Sequence, residues 1–247
     1  MDGAAARSDS HERIRLWDGE NQPAIIRGAT EIIPGLFVGD RDAASSQPPP
    51  GVRSVLNITQ KCPCFHEAEL RYLHIELDDN NNAKIAKYFE AANLFIDAAL
   101  KAEEGVLVHC KNGMSRSSTL VIAFLISRRG QTLAEAYETV RRARPIILPN
   151  AGFFAALQRH EEALQQSLGR PSCATMTLED YDVERLAHPS VAHDRTRARE
   201  VLRERGDFSA ALETLREERD STVWTPSSPT EKLASTSKSC TPMFRLL

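Results

Sequence analysis

The sequence has little of what would tie a protein to a membrane, to nucleic acid or to a disulfide framework. Its longest apolar run, Leu120 to Ile126, is far too short to cross a bilayer. Neither sign of charge dominates: 31 Lys+Arg against 34 Asp+Glu leave a formal net charge of -3. Bulk attraction to nucleic acid or an anionic lipid surface is therefore not expected, and any affinity for phosphate must come from a local site. Residues Met1 to Ser10 lack an apolar segment of the kind a secretory signal needs, and Asp2 stands where N-myristoylation needs glycine. The expected location is the cytoplasm or the nucleus. In that reducing setting the five cysteines, Cys62, Cys64, Cys110, Cys173 and Cys240, read as free thiols. Cys62-Pro63-Cys64 has no second Cys/His pair at ligand spacing, so no metal is expected there and both read as surface thiols. No cofactor is expected.

What is present suits one α/β core with extensions. The 247 residues are 41% hydrophobic and 26% charged, an ordinary globular balance. Residues 1–30 are mixed and polar, and read as an N-terminal extension. From Glu31 short apolar runs punctuated by glycine and proline begin, and the pattern predicts a domain over 31–168. Val52 to Ile58, Tyr72 to Leu77 and Gly105 to Val108 read as strands. Between the last two, Ile85, Tyr88, Phe89, Ala92, Ile96 and Ala99 recur at helical spacing, making a parallel strand, helix, strand unit. Ser117 to Ile126 is apolar nearly all round, as a buried helix would be, and Gly130 stops it. Thr132 with Glu135 forms a capping box for a further helix, and Asn150 can cap the last one. Residues 169–190 read as a linker and 191–219 as a helical segment with two short amphipathic patterns around Gly206-Asp207. Residues 220–247 are rich in Ser, Thr, Pro and Lys and read as a disordered tail, in which Thr225-Pro226, Ser228-Pro229 and Thr241-Pro242 suit proline-directed kinases.

The central feature is Val106-Leu-Val-His-Cys-Lys-Asn-Gly-Met-Ser-Arg-Ser-Ser118: a hydrophobic strand, a short loop and a buried helix. Such a loop can turn successive backbone N–H groups inward, where they and the helix dipole favour a phosphate. The phosphate-binding residues would be Lys111, Asn112, Gly113, Met114, Ser115 and Arg116. Gly113 supplies freedom in φ, and the planar fork of Arg116 can grip two phosphoryl oxygens. Cys110, at the loop's base, is the candidate nucleophile, because the same amides and Arg116 stabilise negative charge on its sulfur. Ser117 stands where it could hydrogen-bond that sulfur. His109 reads as a structural hydrogen-bond partner of the loop. A leaving oxygen needs a proton, and ligand crevices form at the carboxyl ends of parallel strands. The strand ending at Leu77 is followed at once by Asp78 and Asp79, both candidates for the general acid.

His109-Cys110-x5-Arg116-Ser117 resembles the signature of the protein tyrosine phosphatase superfamily, and the ending Ser115-Arg-Ser-Ser118 resembles its dual-specificity branch. Glu31-Ile-Ile-Pro-Gly-Leu-Phe-Val-Gly39, Val55-Leu-Asn-Ile-Thr59, Cys62-Pro63, Asp79-Asn80, Ala136-Tyr137 and Pro149-Asn-x-Gly-Phe153 are similar to the catalytic domain of MAP kinase phosphatases. The resemblance covers 31–168. It implies a mostly parallel central sheet flanked by helices, and hydrolysis of phosphotyrosine and phosphoserine or phosphothreonine through a phosphocysteine intermediate. It also implies Cys110 as nucleophile, Arg116 as phosphoryl holder, Ser117 as partner of the departing sulfur, and Asp79 as the acid, nine residues before Tyr88. The expected partner is a phosphoprotein, with MAP kinases as candidates. The resemblance stops at the front, where 30 residues are too few for the kinase-binding domain of typical members.

Two other function classes stay open at this point. One is a phosphatase for phosphoinositides or another non-protein phosphoester. The other is a phosphoprotein- or ubiquitin-binding module, since Val201-Leu-Arg-Glu-Arg-Gly-Asp-Phe-Ser-Ala-Ala-Leu-Glu-Thr-Leu215 resembles the last two helices of a ubiquitin-associated domain. Ubiquitin or another protein binding through 191–219 is the expectation attached to that resemblance.

Overall fold

The structure is a computed structural model and describes residues 26–169, 176–188 and 194–221. The expectations for Cys173, Cys240, the Ser/Thr-Pro pairs, the residues up to 25 and those from 222 on lie outside the described residues. Five strands form one sheet: β1 (Thr30–Ile33), β2 (Leu36–Gly39), β3 (Val52–Asn57), β4 (Arg71–His74) and β5 (Gly105–His109), in the spatial order β1-β2-β5-β3-β4. β1 and β2 form an antiparallel hairpin, and every other pairing is parallel. The fold is thus the expected α/β class, with β5 at the centre.

That central place explains the composition of β5, Gly-Val-Leu-Val-His, all of it buried. A parallel strand covered on both faces carries apolar residues in both directions. Val106 and Val108 join the main core with the helices α2 (Phe89–Lys101), α3 (Arg116–Arg129), α4 (Leu133–Ala143) and α5 (Ala151–Ser167). Leu107 points the other way, into a smaller cluster with Val52, Val55 and Ala43, the last from the short helix α1 (Arg41–Ser45). α3 packs against α2, α4 and α5, and each residue from Arg116 to Ile126 is buried, as its lack of a polar face requires. It ends at Gly130 in the left-handed region, φ 69°. α4 starts on the Thr132/Glu135 capping box, and α5 on Asn150, whose side chain accepts from the Phe153 amide.

Three expectations are corrected. The strand read as Tyr72 to Leu77 ends at His74, because its partner β3 ends at Asn57 and the last bond runs from the Ile75 amide to the Asn57 carbonyl. Asp78 and Asp79 therefore follow an irregular stretch and not the strand itself, and β3 lies between β4 and β5. Cys62 is buried, its amide bonded to Thr59 Oγ1 and its carbonyl to Asn57 Nδ2, so it is no surface thiol. The stretch read as a linker contains α6 (Leu178–Leu186), built on a Thr177/Asp180 capping box. Tyr181 of α6 enters the main core, while Val183, Leu186 and Ala187 join Ala198 and Val201 of α7 (Arg195–Arg205) and Ala211 and Leu215 of α8 (Phe208–Ser221) in a second core.

Candidate active site

The loop after β5 is held from outside by its carbonyl groups. The His109 carbonyl accepts from the Ile58 amide at 3.0 Å, that of Lys111 from the Arg41 amide at 3.2 Å, and that of Met114 from the Leu148 amide at 2.9 Å. The Gly113 carbonyl accepts from Arg144 Nε at 2.9 Å, and that of Ser115 from Thr119 Oγ1 at 2.7 Å and the Thr119 amide at 3.0 Å. Ser118 Oγ donates to the Ser115 carbonyl at 2.9 Å and also to that of Met114. The amides from Lys111 to Ser117 donate to no protein acceptor among the described residues. A loop whose carbonyls are occupied and whose amides are not, at the start of a helix, is a cradle for an anion.

Gly113 has φ +64°, and a Cβ there would stand 2.6 Å from Arg144 Nη2 and 2.8 Å from the Gly39 carbonyl oxygen, so both conformation and space require glycine. Cys110 lies under the cradle, 1% exposed, with its Sγ 3.3 Å from Ser117 Oγ. Arg116 is 8% exposed; its Nη1 donates to the Leu77 carbonyl at 2.9 Å, and its Nε lies 3.5 Å from Asp79 Oδ2. Asp79 Oδ1 accepts from Ser115 Oγ at 2.7 Å and from Asn150 Nδ2 at 2.9 Å. Asp78 is exposed and makes no hydrogen bond or ion pair among the described residues. Of the residues singled out by sequence, Cys110, Gly113, Ser115, Arg116, Ser117 and Asp79 thus share one site. Lys111 and Asn112 are exposed at its rim, and Met114 is half-buried.

His109 packs at the base of the loop. Its ring is fully buried against the backbone of Cys110, and its own carbonyl accepts from the Ile58 amide. Burial pushes its pKa down to about 4, against the opposing influence of the Cys110 backbone and the Asp40 carboxylate, so the ring is neutral at pH 7.

Two residues that matter here were not assigned to the site by sequence. Arg144 is fully buried and ties Gly113 to the carbonyls of Gly28 and Ile26 and to Thr30 Oγ1. A lone arginine before Pro145 gave no signal of that. Asn150 reads in the sequence as a helix cap only. Its Oδ1 does cap α5, while its Nδ2 reaches Asp79 and its amide donates to Ser115 Oγ at 3.1 Å. The signal was the same cap, which orients the carboxamide and leaves its NH2 group free to reach across.

A family model described as the dual specificity phosphatase catalytic domain matches residues 36–163. Human dual specificity protein phosphatase 4 is 36% identical over 140 residues, covering 54% of this chain and 35% of the relative. The chain therefore spans about a third of the length of that relative. Human dual specificity phosphatase 28 is 34% identical over 146 residues, 58% of this chain and 81% of the relative. The crystal structure of human DUSP28 is similar with a TM-score of 0.55 at 32% sequence identity, over 57% of this chain and 97% of that one. By the extent of the family match and by the loop at its centre, the chain belongs to the dual specificity phosphatase family.

Proposed function

We propose that this chain hydrolyses phosphotyrosine and phosphoserine or phosphothreonine in proteins through a phosphocysteine intermediate on Cys110. The observation that carries the reading is a cysteine sulfur beneath a ring of unengaged amides, with Arg116 and Asp79 at the same mouth. In the first step the Cys110 thiolate attacks phosphorus, the ester P–O bond breaks, and the Asp79 carboxyl gives its proton to the leaving oxygen. In the second step water attacks phosphorus and gives a proton back to Asp79. The P–S bond breaks, and the departing sulfur accepts a hydrogen bond from Ser117. The amides and Arg116 stabilise the phosphoryl oxygens throughout, a term that preorganised donors typically make large. The resemblance of the catalytic region makes MAP kinases the first substrates to try.

The test is turnover of p-nitrophenyl phosphate and of phosphopeptides by the wild type, Cys110→Ser and Arg116→Lys. Cys110→Ser should lose essentially all turnover while still binding phosphate, because a serine hydroxyl is not ionised near neutral pH. Arg116→Lys should fail as well, since an ammonium cannot make the two-point contact. Retained turnover in Cys110→Ser sinks the mechanism. Asp79→Ala, which should bind substrate without releasing it, provides the bait to identify phosphoprotein targets.

For α6–α8 the reading as a protein-binding module rests on the resemblance of Val201–Leu215 to the last two helices of a ubiquitin-associated domain. Ubiquitin is the first ligand to titrate, and unchanged NMR spectra of the full chain would remove it.

A further inference from the structure

Residues 144–150 form an irregular segment between α4 and α5, and on one side Arg144, Leu148 and Asn150 tie it to the active site. Arg144 holds the Gly113 carbonyl, the Leu148 amide holds that of Met114, and Asn150 holds both Ser115 and Asp79. The other side is held by the C-terminal helices. Tyr181 of α6 donates its hydroxyl hydrogen to the Pro149 carbonyl, and His188 Nε2 donates to the Ile146 carbonyl at 3.2 Å.

We propose that Tyr181 is a positioning residue for the general-acid step, fixing Asn150, and through it Asp79, from behind the active site. The proposal rests on the reading of Asp79 as the acid. Tyr181 is itself well fixed: it is 1% exposed, its ring lies 3.9 Å from that of Phe154 at an interplanar angle of 5°, and it meets Tyr137 edge-on at 6.1 Å. Ion pairs from Glu184 to Arg141 of α4 and to Arg195 of α7 hold α6 in the same place. A segment without a ladder or a helix has no repeating backbone bonds to fix it, so its position depends on such individual acceptors. Pro149 has no N–H, which leaves its carbonyl as its one backbone hydrogen-bonding group. The next residue is Asn150. Movement at Pro149 therefore passes directly to the side chain that holds Asp79, and displacements of about 1 Å can cost on the order of 10² in rate.

The experiment compares full-length wild type with Tyr181→Phe, which keeps the ring stack and removes the hydroxyl. The expected result is that kcat on a phosphothreonine peptide falls roughly ten-fold more than kcat on p-nitrophenyl phosphate, with KM unchanged. In an Asp79→Asn background the same substitution should add no further loss. Hydrogen exchange at the Leu148 and Asn150 amides should quicken in Tyr181→Phe, a readout independent of turnover. Equal losses on both substrates, full additivity with Asp79→Asn, or unchanged exchange would each overturn the proposal. A parallel Cys110→Ser control separates the two readings: if it retains turnover, the phosphatase mechanism fails, while the exchange result still reports the coupling.

Discussion

Asp78 and Asp79 are neighbours in sequence with different surroundings, and the leaving group can tell them apart. Asp79 accepts from Ser115 and Asn150 beside Arg116, whereas Asp78 faces solvent. Loss of a general acid typically costs about 10² to 10⁴ in rate, most where the departing oxygen is most basic. Asp79→Asn should slow phosphothreonine peptides most, phosphotyrosine peptides less and p-nitrophenyl phosphate least, while Asp78→Asn changes all three only modestly. Steady-state kinetics on the three substrates check this, and a graded loss in Asp78→Asn would reverse the assignment. His109 makes a different prediction. With a folded pKa of about 4 against 6.5 unfolded, the unfolded chain takes up a proton between these values that the folded one refuses. Stability should therefore fall as pH drops from about 6.5 toward 4, and between pH 7.5 and 5.5 this group alone should cost about 1 kcal/mol. Burial lowers the pKa of His160 and His188 too, which adds in the same direction. Denaturant titrations across that range should show a shallower slope in His109→Gln than in wild type.

At the scale of elements, the site is the junction of β5 and α3, and its shape depends on one backbone conformation. Gly113→Ala would place a methyl group against Arg144 and Gly39 and force a left-handed φ on an L-residue, which by itself costs roughly 1–2 kcal/mol. The substitution should lower the denaturation midpoint and weaken phosphate binding together, measurable by denaturation and calorimetry. Loss of one without the other would mean that the loop adapts by itself. The same junction shows how local the element signals are. The Thr132/Glu135 box and the Gly130 stop lie within a few residues of the ends they mark, so local chemistry located α4 and the end of α3. α6 has a box of the same kind at Thr177/Asp180, yet its sequence reads as linker. It is short, and its apolar residues are divided between two cores, so no single stripe marks it.

Among the described residues, two of the three apolar clusters share a helix. Tyr181 belongs to the larger, while Val183 and Leu186 belong to the cluster of α6–α8. Leu186 is fully buried, and truncating such a leucine typically costs about 2–5 kcal/mol. Leu186→Ala should strip hydrogen-exchange protection from α7 and α8 while β5 and α3 keep theirs, as expected of separate cooperative units. Uniform loss across the chain would show that the two cores unfold as one.

The sequence by itself determined the strand, loop and helix around Cys110, because their signals are local: an apolar run, a glycine, a reactive residue pair at fixed spacing. It also determined the α/β class, since strand and helix periodicities alternate along 31–168. Only the tertiary structure decided which strands are neighbours, and so that β3 separates β4 from β5. Only it brought Arg144 to Gly113, Asn150 to Asp79 and Tyr181 to Pro149, contacts between residues 31 or more apart, the third carried by a helix outside the family match. The physical reason is the same throughout. Propensity and capping act over a few residues, whereas a buried side chain's partner is set by packing of the whole chain.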